Sequence, residues 1–330
     1  MKLFVYEHIT SGALADQALP NSLAQEGDSM LTAILQDLSE QPQIELIILR
    51  DGRLNKITKL PLNTHEIFWV QHSTQFEEQW EKALQQSDNV FVIAPETDEQ
   101  LTKIQDDIVS VGKTYLGSSQ ESTLISTDKL RCFQHLLLHD IPAVKTEKAL
   151  HWQTDNSDTA DGVIIKPIDG AGCLDTVLFQ TEEAASDYLQ KVSLDQLPSL
   201  IVQPYIKGTA ASLSLFISDN KARILSTNRQ QIKQQPPQLI FSGSEVNAIS
   251  TDELSPITAQ NLANDIHKAL PGLWGFVGID LVLTPLGPIV IEINPRLTTS
   301  YIGLKSILKC NPTDLLIKHM SEKQSTRLAS

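Results

Sequence analysis

Gly278-Ile279-Asp280-Leu281-Val282-Leu283-Thr284-Pro285-Leu286-Gly287-Pro288-Ile289-Val290-Ile291-Glu292-Ile293-Asn294-Pro295-Arg296 is the stretch on which the reading of this chain turns. Residues 277–283 and 289–293 are short, rich in branched side chains and read as strands. Side chains alternate along a strand, so Glu292 and Asn294 share a face, and an adjacent strand can bring Asp280 beside them. Three hard oxygen donors, completed by water and phosphate oxygens, suit magnesium. Arg296, just beyond, could clamp a transferring phosphoryl group. Either carboxylate alone reads better as a strand cap near surface lysines. Carboxylates within such apolar runs, however, are costly unless paired or metal-bound.

Upstream, a predicted strand over 162–166 runs into Lys166-Pro167-Ile168-Asp169-Gly170-Ala171-Gly172. Backbone amides in such a small-residue turn can cradle phosphate oxygens, although the same turn is also ordinary hairpin chemistry. It is not a Walker lysine, because GK[ST] is absent. Further strands are predicted at 200–202, 212–217 and 223–226, which makes the second half α+β. Residues 228–250 carry five glutamines and the pair Pro236-Pro237 and read as a mobile loop. From Lys2 to about residue 120 the rhythm is βαβ, with strands expected at 3–6, 44–49, 67–70 and 90–93. One helix should bury Leu23, Met30, Leu31, Ile34, Leu35 and Leu38 on one face. Another should begin in a capping box at Thr97 and Gln100 and bury Leu101, Ile104, Ile108 and Val111. A polar stretch, 118–127, precedes a helix over 128–139. The expected domains are an N-terminal parallel α/β unit over 1–120, a second unit over 121–200 and a third over 201–330.

The 330 residues are 41% hydrophobic, enough for more than one core, and carry 40 acidic against 26 basic side chains. The net charge of −14 disfavours nucleic-acid and anionic-membrane partners. The apolar runs fall far short of the roughly 18 residues a spanning helix needs. Met1 to Glu7 offers too short an apolar run for a secretory signal, so a cytoplasmic location is expected. Cys132, Cys173 and Cys310 are far apart and form no CxxC pair, which argues for reduced thiols.

Taken in order, these motifs resemble the ATP-grasp superfamily over residues 120–305. The resemblance implies an ATP-grasp fold behind an N-terminal α/β (pre-ATP-grasp) domain, with 121–200 as lid subdomain and 201–330 carrying the metal site. It implies that Lys129 and Lys166 contact ATP phosphates beneath a closing lid around Gly170 and Gly172. It further implies that Gln203, Pro204, Tyr205 and Ile206 form the adenine hinge, and that Asp280, Glu292 and Asn294 hold Mg2+ or Mn2+. Arg296 and Arg229 would neutralise charge in catalysis. The run Ile293 to Leu304, the tripeptide Asn228-Arg229-Gln230 and the set Tyr6-Glu7, Ser11-Gly12 and Glu26-Gly27 resemble the tyramine-glutamate ligase group of methanofuran biosynthesis. The implied activity is an ATP-dependent carboxylate-amine ligase acting through an acyl phosphate, on small-molecule acid and amine substrates, as a homodimer. Glu7, at the end of the first strand, would bind a substrate ammonium; a surface carboxylate is the plain alternative.

The family often has glutamates where this chain has Gln203 and Ala210, although Gln203 could accept a hydrogen bond from adenine. Two alternatives therefore stay open: other amino-acid or peptide substrates, or a nucleotide-binding regulator without turnover. His135 and His139, four apart on a predicted helix, lack the third ligand a zinc site needs. Arg131 and Cys132 read as packing or surface, and Trp69, Trp80, Trp152 and Trp274 as packing.

Overall fold

The computed structural model describes residues 1–54, 66–154, 159, 161–170, 172–218 and 221–328. The first part alternates β1 (Lys2–Glu7), α1 (Asn21–Leu38), β2 (Glu45–Asp51), β3 (Glu66–Val70), α2 (Ser73–Gln86), β4 (Asn89–Ile93), α3 (Gln100–Ser110) and β5 (Thr114–Tyr115). All five strands are parallel, in the order β3-β2-β1-β4-β5. Strand alternation decides the layers. Leu3, Val5, Leu46, Ile48, Phe91 and Ile93 pack with α1, whereas Phe4, Tyr6, Ile47, Leu49, Val90 and Val92 pack with α2 and α3. Both faces are covered, as the α/β reading requires.

The rest of the chain forms α4 (Gln120–Thr127), α5 (Lys129–Leu138), β6 (Glu147–Lys148), β7 (Val163–Pro167), β8 (Val177–Phe179), α6 (Glu182–Leu189) and β9 (Leu200–Pro204). There follow β10 (Thr209–Ser218), β11 (Lys221–Gln235), β12 (Gln238–Glu245), α7 (Pro256–Ala269), β13 (Gly275–Thr284), β14 (Gly287–Asn294), α8 (Leu304–Leu308) and α9 (Thr313–Leu328). Nine strands make one sheet, β14-β13-β10-β11-β12-β8-β7-β9-β6, with every pairing antiparallel. One face of β10 and β13 packs on α5 and α7 through Leu136, Leu213, Ala263, Ile266 and Ile279. α6 covers β7 and β9 in a smaller core. Phe216, Phe276 and Trp274 join the α1 core, and Leu316 and Met320 of α9 return to it, so the two sheets share one apolar contact.

Three local expectations differ from what forms. Residues 228–250 are largely the arms of the β11–β12 hairpin, with Gln235 opposite Gln238 around Pro236-Pro237. The glutamines sit on long, half-exposed ladders, where polar composition mimics that of a loop. The polar stretch 118–127 contains α4, whose start is capped by Ser119 accepting from the Ser122 amide at 3.3 Å. α3 begins at Gln100 without a side-chain cap, because Asp98 and Glu99 take left-handed φ of 55° and 56°, and Val111 lies beyond its end, 56% exposed.

Trp80 packs edge-on against Phe4 and Tyr6, Trp274 is buried beside Phe216, Trp152 packs on the small core, and Trp69 is at the surface. Among the described residues no helix is long and apolar enough to cross a membrane.

Candidate functional site

The C-terminal ends of β1 and β4, the β7–β8 loop, β9 and the open face of β10, β11, β13 and β14 enclose a cavity of about 560 Å³. The strand order reverses between β1 and β4, where open parallel sheets place ligands.

Asp280 lies opposite Glu292 on β13 and β14, and Gly278 opposite Asn294, so the three predicted oxygen donors share one face. Asn294 Nδ2 approaches Asp280 Oδ2 at 3.4 Å, and Gln230 Nε2 donates to Asp280 Oδ1 at 2.8 Å. Burial and the Glu292 carboxylate push the Asp280 carboxyl well above its usual range. Burial would also raise Glu292, but the positive charges of Lys129 and Lys166 outweigh it and hold that carboxyl down. Two hard carboxylates held opposite each other, one of them pushed toward its neutral form, fit a divalent cation such as magnesium. Among the described residues no point gathers three or more His, Cys, Asp or Glu, so an ion here would draw on Asn294 and phosphate oxygens.

Lys129 opens α5 behind Asp128, whose side chain accepts from the amides of Leu130 and Arg131 at 2.9 Å. Its Nζ lies 3.5 Å from Glu292 Oε2 and donates to the Gly170 carbonyl at 2.9 Å, tying the helix start to the glycine loop. That loop closes the β7–β8 hairpin, as the hairpin reading has it, and its Gly170 and Gly172 line the cavity. Gly170 takes φ of +93°, which a residue with a Cβ rarely adopts, while Ala171 lies outside the described residues. Lys166, at the end of β7, is 8% exposed, and burial lowers its amine to about 8. Cys173 lines the same wall; burial raises its thiol to about 11, which keeps it protonated and un-nucleophilic.

In the predicted hinge, Gln203 is buried and its Nε2 donates to Thr146 Oγ1 at 2.9 Å, leaving the amide oxygen as the acceptor. Pro204, Tyr205, Ile206 and Ala210 line the cavity beside it. Arg229 also borders the cavity, but strand alternation sets it against Glu253, whose two oxygens take one Nη2 at 2.7 and 2.8 Å. Arg296 reaches the cavity and is gripped by Glu96.

Glu7, opposite Ile93 where β1 and β4 end, is 2% exposed and lines the cavity. Its carboxylate accepts from the Ile9 and Thr10 amides at 3.2 and 2.7 Å and from the Thr10 hydroxyl. Behind it the buried Arg50 donates to Thr10 Oγ1 at 2.8 Å and pairs with Asp28 at 2.5 Å. Burial raises the Glu7 carboxyl to about 7 despite these partners. A Cβ on Gly27 would stand 2.5 Å from Glu7 Oε1, so α1 can pass this close to the carboxylate only with glycine there. His135 and His139 are satisfied by the carbonyls of Ala269 and His135, and among the described residues they join no metal-ligating cluster.

Sequence reasoning missed Glu96 and the Arg50, Thr10 and Asp28 cluster. Glu96 could have been found: like Glu7, it follows the end of a parallel strand beside the reversal in strand order.

The ATP-grasp domain family matches residues 126–300, and the pre ATP-grasp 3 domain family matches residues 44–123. A tyramine–L-glutamate ligase of Methanocaldococcus jannaschii is 28% identical over 320 residues, spanning 94% of this chain and 88% of the relative. A second such ligase, from Methanocaldococcus fervens, is 29% identical over 72% of this chain and 68% of its own length. Among solved structures, an ATP-grasp superfamily protein of Archaeoglobus fulgidus superposes with TM-score 0.71 at 24% identity, covering 96% of this chain and 88% of that one. The ATP complex of D-alanine–D-alanine ligase from Bacillus anthracis superposes with TM-score 0.64 at 15% identity, covering 100% and 99%.

Proposed function

The chain belongs to the ATP-grasp family, whose members join carboxylates to amines with ATP, and on that premise we propose that it couples glutamate to tyramine or tyrosine in methanofuran-type cofactor biosynthesis. The observation that carries this reading is a single cavity lined by Lys129, Lys166, Asp280, Glu292, Asn294 and Arg296 and also by the buried carboxylate of Glu7. The similarity to tyramine–L-glutamate ligase along 94% of the chain supports the substrate assignment. The domain limits 1–120, 121–200 and 201–330 and a homodimeric assembly belong to the same proposal.

In the first step a substrate carboxylate oxygen attacks the γ-phosphorus of ATP, the bond to the bridging oxygen breaks, and ADP leaves. In the second the amine nitrogen, having given up a proton to solvent, attacks the acyl carbon, and phosphate departs as the amide forms. Lys129 and Lys166 hold the phosphates, the amides of Gly170 and Gly172 cover them, and the 203–206 hinge receives adenine. Magnesium bound to Asp280, Glu292 and Asn294 would neutralise charge that builds on the phosphates. Arg296 would meet the transferring phosphoryl group. Arg229 would join it only by exchanging Glu253 for an anion. Glu7 would take the ammonium of the amino-acid substrate in a dry pocket where an ion pair is strong. Sealing the loop over the site would also protect the acyl phosphate from water.

The direct test is ADP release from ATP, magnesium and glutamate, with and without tyramine or tyrosine, followed by product mass. Amine-dependent release with an amide product is expected. Turnover only with a different acid or amine would overturn the substrate assignment and keep the ligase class.

Glu7 supplies a pH prediction. Its carboxyl ionises near 7, so KM for the amino-acid substrate should climb as pH falls through that value, and Glu7→Gln should abolish this dependence. The ionised, buried carboxylate costs the substrate-free fold nothing below its unfolded value of 4.5 and its full penalty above about 7. The melting temperature of Glu7→Gln relative to the parent should therefore rise between those limits. An unchanged KM in the variant would remove Glu7 from the site.

A further inference from the structure

Glu96 is a buried acid to which the proposed reaction gives no role. Its carboxylate takes Nε and Nη2 of Arg296 at 2.7 and 2.8 Å, with the two side chains only 4% and 10% exposed. The partners stand 200 residues apart, one just past β4 of the parallel sheet and the other just past β14 of the antiparallel one. A guanidinium carries five N–H donors. Glu96 takes two and the Leu297 carbonyl, 3.1 Å from Nη1, a third. What remains is one N–H on Nη1 and one on Nη2, the end-on pair that matches two oxygens of a phosphoryl group. A buried ion pair gains little net stability once desolvation is counted, so stability alone is a poor reason for it.

The segment carrying Glu96 has a second anchor. The Asp98 amide donates to Asp169 Oδ2 at 2.8 Å, next to Gly170, whose carbonyl receives Lys129. Asp98 and Glu99 both hold left-handed φ, which costs energy outside glycine and persists where neighbours over-determine it. The same short turn thus touches the glycine loop on one side and the cavity arginine on the other.

We propose that Glu96 is a positioning residue for Arg296, fixing the guanidinium side-on so that its end-on N–H pair meets the γ-phosphoryl group. The 96–98 turn relates that placement to the glycine loop. The inference rests on the reading of Arg296 as the phosphoryl clamp.

Calorimetric affinities of the magnesium complexes of AMP-PNP and ADP test it without any acid or amine. Arg296→Met is expected to lower the preference for AMP-PNP over ADP by about tenfold, and Glu96→Gln by nearly as much, the loss of one charge-assisted pair. The double variant should lose no more than Arg296→Met, because both changes remove one interaction. Glu96→Asp, one methylene short of the same grip, should lose about threefold. Removing a mere strut between the domains would weaken both nucleotides alike and leave their ratio unmoved. If Arg296→Met lowers the ratio and Glu96→Gln leaves it at the parent value, the proposal is overturned while Arg296 keeps its role. If Arg296→Met itself changes nothing, the clamp reading and this proposal fall together. Should Glu96→Gln fail to fold, Glu96→Asp takes its place, and an unchanged ratio there overturns the proposal.

Discussion

Glu292→Gln and Asp280→Asn are each expected to lower ADP release by about 10³-fold, since charge stabilisation by a metal and its ligands supplies much of the catalysis of phosphoryl transfer. The two variants should separate in stability. Burial and Glu292 push Asp280 well above its ordinary range, so in metal-free protein its ionisation opposes folding. That cost is absent at acid pH and grows as pH rises above the unfolded carboxyl's value. Asp280→Asn removes it, and its melting temperature at pH 7 without metal should match or exceed the parent's. Glu292 is held down by Lys129 and Lys166, so Glu292→Gln leaves two buried cations with less to neutralise them and should melt lower. Magnesium with ATP should raise the melting temperature of the parent and of neither variant. Normal magnesium-dependent turnover in both would end the metal assignment.

The second large effect is expected at Lys166. Lys166→Met keeps most of the apolar stem and removes the charge, and ATP affinity should fall by about 30-fold or more, the usual cost of deleting one member of a buried charge pair. Among the described residues the Lys166 amine makes no hydrogen bond, and burial lowers it from 10.5 to about 8. A lysine whose folded value is depressed opposes folding when charged. The penalty is complete below about 8 and vanishes above 10.5. Nucleotide-free Lys166→Met should accordingly be the more stable protein at pH 7, with the difference shrinking toward pH 10, while its melting temperature responds weakly to ATP. Exchange of stability for ligand affinity is the signature of a preformed binding group. An ATP KM equal to the parent's would remove Lys166 from the phosphate site.

Much of the architecture was legible because it rests on local pattern. The alternation in 45–51 and 89–93 and the helical spacing of Leu31, Ile34, Leu35 and Leu38 each bury one face in the way their period demands. Asp280, Glu292 and Asn294 were legible for the same reason, since strand alternation states which side chains share a face before any partner strand is known. The hairpin arms of β11 and β12 were not. A ladder with polar side chains on both faces has no hydrophobic period, and its strands are specified by the neighbours that take their backbone hydrogen bonds.

The electrostatics of the site were legible in residue type and not in state. A glutamate at position 7 reads as an ordinary carboxyl, and its shift to about 7 comes from being enclosed by β1, α1 and the Thr10 turn. Glu96 and Arg296 are the sharpest case, because nothing within a few residues of either names the other. Local periodicity and residue chemistry in the chain were enough to determine an α/β unit followed by an α+β part, their family and which polar side chains share a strand face, since these depend on interactions within one strand, turn or helix. Which carboxylate grips which guanidinium, which lysine loses its water and where the cavity closes were decided only when the two sheets packed together. Desolvation and ion pairing depend on distances between segments hundreds of residues apart, and such distances exist only in the folded molecule.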